Sequence, residues 1–166
     1  ELGTEVAIIG TARVLRGGDP STVLVTNATM EIRKGDRLLP VDDAPYDATF
    51  WPHAARSVPP YARVIAFSNG MDSTSEEGTD SVVALSAGRA DGVDNGTTFA
   101  IYHPGDEITD DVAGNSDARS RGPHVQLPAE FVGHVMVFRT FDHVSYGLIM
   151  DGVKPVHMQD ELQVPE

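Results

Sequence analysis

Val6-Ala7-Ile8-Ile9-Gly10-Thr11-Ala12-Arg13-Val14 decides the fold. Read with a period of two, it places Val6, Ile8, Ala12 and Val14 on one face of a strand. The short β-branched run 22–26 reads the same way, as do 62–67, 81–85, 97–102, 132–141 and 145–150. Turn signals separate these runs: Gly17-Gly18-Asp19-Pro20, Ser68-Asn69-Gly70, Asp91-Gly92 and Asn95-Gly96. No amphipathic helical stretch of ten residues emerges. The reading is an all-β chain of small barrel-like or sandwich-like modules, with little or no helix.

Composition narrows the function classes. The 166 residues carry 12 Lys+Arg against 25 Asp+Glu, a formal net charge of −13. Nucleic-acid binders need a basic footprint, so that class is excluded. The same sign argues against docking by charge on an anionic membrane. With no Cys, disulfides, thiol catalysis and zinc–thiolate sites are ruled out. No apolar run approaches the ~18 residues that span a bilayer. The chain opens on Glu1 and shows no signal-peptide pattern, so a mature chain or an excised fragment is expected, with its compartment left open.

Three regions are expected. Residues 1–40 form an N-terminal β module of about three strands, too few to stand alone, which packs on the rest of the chain, on a missing N-terminal part or on another copy. Residues 41–60, with Pro40 just before them, carry Pro45, Pro52, Pro59 and Pro60, and read as an extended linker. Residues 61–166 supply about six strands, enough for a barrel-like module. Two segments, 72–80 and 106–117, hold nine of the 25 acidic residues and no Lys or Arg, and read as solvated loops.

The chain repeats itself. Ile9-Gly10-Thr11-Ala12-Arg13-Val14-Leu15-Arg16 aligns with Val132-Gly133-His134-Val135-Met136-Val137-Phe138-Arg139. Asp19 then falls on Asp142. After a one-residue shift, Ile32-Arg33-Lys34-Gly35-Asp36-Arg37-Leu38 falls on Val156-His157-Met158-Gln159-Asp160-Glu161-Leu162. The expectation is a hairpin followed by a turn into a closing strand. Gly10 and Gly133 permit a bulge or close backbone approach, and Asp36 and Asp160 bond backbone amides in the turn. A catalytic acid/base pair is the less economical reading of these two carboxylates.

Between the copies, residues 82–102 read as strand, glycine-rich turn, strand. Gly88, Gly92 and Gly96 are expected to supply positive-φ positions, with Asp91 in the turn. Phosphate binding is disfavoured: no helix or Lys follows the glycines, and Asp91 and Asp94 would repel an anion.

Five blocks in order carry a family resemblance. They are Leu2-Gly3 with 9–14, the 31–40 stretch Glu31-Ile32-Arg33-Lys34-Gly35-Asp36-Arg37-Leu38-Leu39-Pro40, Pro52-His53-Ala54, Val83-Ala84-Leu85 with Asp91-Gly92-Val93 and Gly96, and Gly133 with Val137-Phe138-Arg139, Phe141-Asp142 and Val144-Ser145-Tyr146. Nearly the whole chain is similar to the region that follows the LysM domain in proteobacterial LysM peptidoglycan-binding proteins. The resemblance implies an exported protein of the periplasm and cell envelope, held on peptidoglycan by a LysM domain. It implies no catalytic residue. A LysM domain itself is not expected here. Residues 30–38 mimic its opening, but Leu39-Pro40-Val41-Asp42-Asp43-Ala44-Pro45 would break its first helix.

Candidate sites are few. His53, His103, His124, His134, His143 and His157 lack the close spacing of a zinc motif, so no metal site and no cofactor are expected. The acidic loops do not match an EF-hand. Tyr46, Phe50, Trp51 and Tyr61 gather four of the eleven aromatics. Tyr46, Phe50, Trp51 and His53 are the candidate contacts to glycan or a protein partner, against the alternative that Trp51 buries its ring to pin the linker. No Gly-x-Ser-x-Gly elbow supports nucleophilic catalysis.

The expected function is therefore a non-catalytic envelope module, acting as a scaffold or binding an envelope protein partner. The alternatives are a cell-wall carbohydrate-active enzyme using paired carboxylates, or a β-barrel oligomerisation module.

Overall fold

The structure, a computed structural model, describes residues 4–41, 49–67, 76–109 and 123–166. It is all-β: thirteen strands and a single 3-10 turn, Arg89–Asp91, among those residues. Tyr46, residues 72–75 and residues 110–117 lie outside the described residues. Among the described residues no helix is long and apolar enough to cross a membrane.

Two compact units divide the chain, residues 4–47 and a second that runs from residue 48 to the end. In the first, β1 (Gly10–Arg16) and β2 (Thr22–Ala28) form one antiparallel hairpin. The expected third strand is absent. Residues 29–41 carry only a turn: the matching closing strand of the second unit pairs with the strand at 97–103, which has no counterpart among the described residues of the first unit.

The second unit contains β3 (His53–Ala54), β4 (Val64–Phe67), β5 (Glu76–Glu77), β6 (Val82–Leu85) and β7 (Thr97–His103). These are followed by β8 (Glu107–Thr109), β9 (His124–Gln126), β10 (Glu130–Thr140), β11 (Ser145–Gly152), β12 (Val156–His157) and β13 (Glu161–Gln163). The main sheet runs β13-β7-β10-β11-β6-β4, and β3 lies parallel to β7. The Pro-rich stretch is thus not wholly a linker. His53 and Ala54 pair with Thr97 and Thr98, and Ala55 is buried.

The sheet curls until its ends meet. The amide of Val64 donates to the Asp160 carbonyl, that of Gln159 to Val64, and that of Leu162 to Ala62. Only one bridge, Arg63 with Glu161, forms there, so the ladder is not the continuous one of a closed barrel. Ser86 reinforces this side, accepting from the Arg63 amide and donating to the Tyr61 carbonyl. Alternate residues of β7, β10 and β11 point inward: Phe99, Ile101, Val135, Val137 and Ile149 are fully buried.

The backbone preserves the repeat. In β1–β2 the register slips between Thr11 and Ala12 and between Val14 and Arg16. In β10–β11 it slips between His134 and Val135 and between Val137 and Arg139, the aligned positions. The turn after each hairpin also matches. The Arg33 amide donates to Asp36 Oδ2 at 2.7 Å, and the His157 amide to Asp160 Oδ2 at 2.8 Å. The residue before each Asp has positive φ, 111° at Gly35 and 75° at Gln159. Asp36 and Asp160 are turn residues, each in its own unit.

The glycine-rich loop is built differently from expectation at one point. Gly92 and Gly96 have positive φ (83° and 99°), but Gly88 is extended at −143°. Gly88 is needed for space: a Cβ there would meet the Phe141 carbonyl oxygen at 2.5 Å. Its amide donates to Asp91 Oδ2, and the amides of Arg89 and Ala90 donate to the carbonyls of Phe141 and Asp142. The loop's donors therefore clamp the β10–β11 turn and are not turned toward a ligand.

Candidate functional site

Asp160 is the most deeply buried acid described, with no exposed surface. A bare carboxylate in that setting needs strong partners. Its Oδ2 accepts the His157 amide, and its Oδ1 stands 2.7 Å from His103 Nδ1. His103 comes from the end of β7 and His157 from β12, so the sheet brings together side chains 57 and three residues from Asp160. The two imidazole centroids lie 5.2 Å apart, tilted by 54°. Ligand atoms of His103, His157 and Asp160 all fall within 4.8 Å of one another.

A second carboxylate stands behind the first three groups. Glu76 Oε2 on β5 lies 3.2 Å from His157 Nε2. The other ring nitrogen, Nδ1 of His157, is buried and has no hydrogen-bond partner. Glu76 also lines an open groove of ≈ 400 Å³ with Glu77, Gly78, Thr79 and the 152–155 turn. Beside His103, Glu130 pairs across the strands and is held below its ordinary carboxylate range by Lys154, whose ammonium it binds.

The aromatic candidates take a different arrangement. The Trp51 side chain is not a buried anchor, because the residue is 80% exposed. What pins this segment is backbone: the Trp51 carbonyl accepts from His53 Nδ1 at 2.9 Å and lies against Gly96. His53 Nε2 meets Asp94 Oδ1 at 2.8 Å, and Thr97 Oγ1 donates to the same carboxylate oxygen at 2.6 Å. With acceptors at both ring nitrogens, the imidazolium form is favoured. The Trp51 carbonyl is the largest cause of the upward shift of His53, with Asp94 adding to it against partial desolvation. Phe50 is half-buried, and Tyr61 is exposed with its hydroxyl donating to Asp91.

A third feature is the set of exposed apolar side chains in the N-terminal unit. Val137, Ile149, Val156 and Leu162 form part of the core of the second unit, with exposures of 0, 0, 0 and 4%. Their aligned counterparts Val14, Val25, Ile32 and Leu38 are 62, 46, 45 and 66% exposed. In the second unit β7 covers the outer edge of β10, and β6 that of β11. Among the described residues no strand pairs with the outer edge of β1 or β2.

Of the sequence candidates, Asp36 and Asp160 hold turns, and Gly88, Asp91, Gly92 and Gly96 shape one loop to which His53 is tied. The cluster around Asp160 was not singled out in advance. Its available signal was the repeat itself: the turn works with Arg33 in one copy, so its architecture does not demand His157 in the other. The chain matches no known protein family, no curated protein and no solved structure.

Proposed function

We propose that the chain is a non-catalytic scaffold region of a LysM-type, peptidoglycan-associated envelope protein of the periplasm. The observation that carries the scaffold reading is the contrast between buried core positions in one copy of the repeat and solvent-facing apolar positions in the other. A module with Val14, Val25, Ile32 and Leu38 turned to water is half of a packed unit. Covering each such side chain is worth about 1.5–3 kcal/mol.

The occupant we assign to that face is a pair of strands of the β6 and β7 pattern, supplied by the same polypeptide upstream of residue 1. In the second unit the covering strands precede their hairpin in sequence. The repeat order therefore puts the equivalent strands of the first copy before Thr4. The resemblance to regions that follow a LysM domain is in keeping with polypeptide there. The envelope and peptidoglycan parts of the proposal rest on that resemblance.

Hydrogen exchange tests the scaffold reading. In the 166-residue chain, amides of β1 and β2 should exchange within minutes. In a chain extended upstream, they should slow by at least a hundredfold while the mass by light scattering stays monomeric. Protection in the short chain together with a dimer mass would assign the face to a second copy and overturn this occupant. Sedimentation with purified peptidoglycan tests the rest: retention only when a LysM domain is attached is expected. Release of new reducing ends from the glycan would overturn the non-catalytic reading.

A further inference from the structure

We propose that His103, His157 and Asp160 form a binding site for a divalent transition-metal ion of the zinc type. The donor set is two imidazoles and one carboxylate, the nitrogen–oxygen chemistry that zinc accepts without thiolates. Metal–ligand bonds of about 2.0–2.2 Å put ligands of one shell roughly 3–3.5 Å apart. The three ligand atoms already lie within 4.8 Å, and small rotations of two half-exposed histidines close the remainder.

Two observations point to a ligand over a mere ion pair. Asp160 is fully buried, and its carboxylate is locked in place by the His157 amide, so one corner of the site is preorganised. His157 is arranged as metal-bound histidines are. Its Nε2 faces the Glu76 carboxylate at 3.2 Å, which holds the proton on that nitrogen and leaves a lone pair on Nδ1. That Nδ1 is buried and has no hydrogen-bond partner among the described residues. Two rings about 5 Å apart and a fixed carboxylate supply the three ligands. Water or a further oxygen donor completes the four-coordinate shell. The ion would tie β7, β12 and the turn before β13 together, with β5 held through Glu76.

The other histidine–acid contacts lack this arrangement. His53 with Asp94 and His134 with Asp151 are two-group pairs, and among the described residues only the Asp160 cluster groups three such ligands.

The test is calorimetric titration of Zn²⁺ into the untagged 166-residue protein, with thermal unfolding measured alongside. One ion per chain is expected, with the unfolding midpoint raised by the metal. His103→Ala and His157→Arg should each weaken binding by at least tenfold. His157→Arg introduces the residue the first copy uses at this turn, so it separates loss of metal from loss of fold. Glu76→Ala should weaken binding by about tenfold or more through the orientation of His157. Co²⁺ should give the visible bands of a four-coordinate site in the parent protein and lose them in His157→Arg. Absence of stoichiometric zinc binding would overturn the proposal and leave His103–Asp160 as an ion pair. So would affinity unchanged in the double variant His103→Ala/His157→Arg.

Discussion

Gly10 and Gly133 face the same obstacle in two different hairpins. A Cβ at Gly10 would stand 2.5 Å from the Asn27 carbonyl oxygen, and one at Gly133 would stand 2.2 Å from that of Asp151. Both contacts are backbone, so neither can move aside by a rotamer change. Each glycine sits just before the first bulge of its hairpin, where the two chains approach most closely.

Gly133→Ala should therefore destabilise the second unit by about 1–3 kcal/mol, the range for forced overpacking. Urea unfolding followed by tyrosine fluorescence would measure it. A shift below ~0.5 kcal/mol would show that the strands part there at little cost.

The two copies should respond unequally to the same truncation. Val137→Ala removes fully buried methyls and should cost about 2–3 kcal/mol. Val14→Ala, at the aligned and exposed position, should stay within about 0.5 kcal/mol in the 166-residue chain. In the chain extended upstream, Val14→Ala should become costly. Equal and small effects of Val14→Ala in both chains would count against an intramolecular cover for that face.

Asp160→Ala should cost about 2–3 kcal/mol, because it strips the His157 amide of its acceptor in a buried turn. The aligned change Asp36→Ala breaks the same bond at the surface and should cost no more than ~1 kcal/mol. Thermal melts of both variants without added metal make the comparison.

His53 and Asp94 predict a pH dependence. The His53 pKa is raised in the folded state, chiefly by the Trp51 carbonyl, so its contribution is fully present below about pH 6.5 and is lost as pH rises through the folded value. The Asp94 pKa is lowered, chiefly by the Thr97 hydroxyl, so its contribution is present above about pH 4 and is lost as pH falls through the folded value. The pair should be most favourable between about pH 4 and 6.5. NMR titration of His53 should give a midpoint above that of an unstructured histidine, and Asp94→Asn should lower it. An unchanged midpoint in Asp94→Asn would leave the Trp51 carbonyl as the whole cause.

The strand framework was legible because alternation is a local signal, carried by runs such as 132–141 and 145–150 that are long enough to show it. The turn carboxylates Asp36 and Asp160 were legible because the repeat displayed them twice. The two- and three-residue strands β3, β5, β8, β9 and β12 were not, since so few residues carry no period. The third strand expected in residues 1–40 is absent for a physical reason: its counterpart β13 pairs with β7, and the described residues of the first unit hold no counterpart of β7. Gly88 was misread because sequence marks a glycine but does not say whether torsion or space requires it. The histidine cluster was hidden because its members meet only once β13 pairs with β7, His103 and Asp160 being 57 residues apart.

The matching bulges carry a consequence for kinship. Side chains in the two hairpins have diverged so far that few positions agree, yet the slips in register keep the same spacing from Gly10 and from Gly133. Backbone irregularity has outlasted side-chain identity in what reads as a duplicated ancestral hairpin. Any further copy of the hairpin would be recognised by that spacing of glycine, first slip and second slip, and by the positive-φ residue ahead of an aspartate.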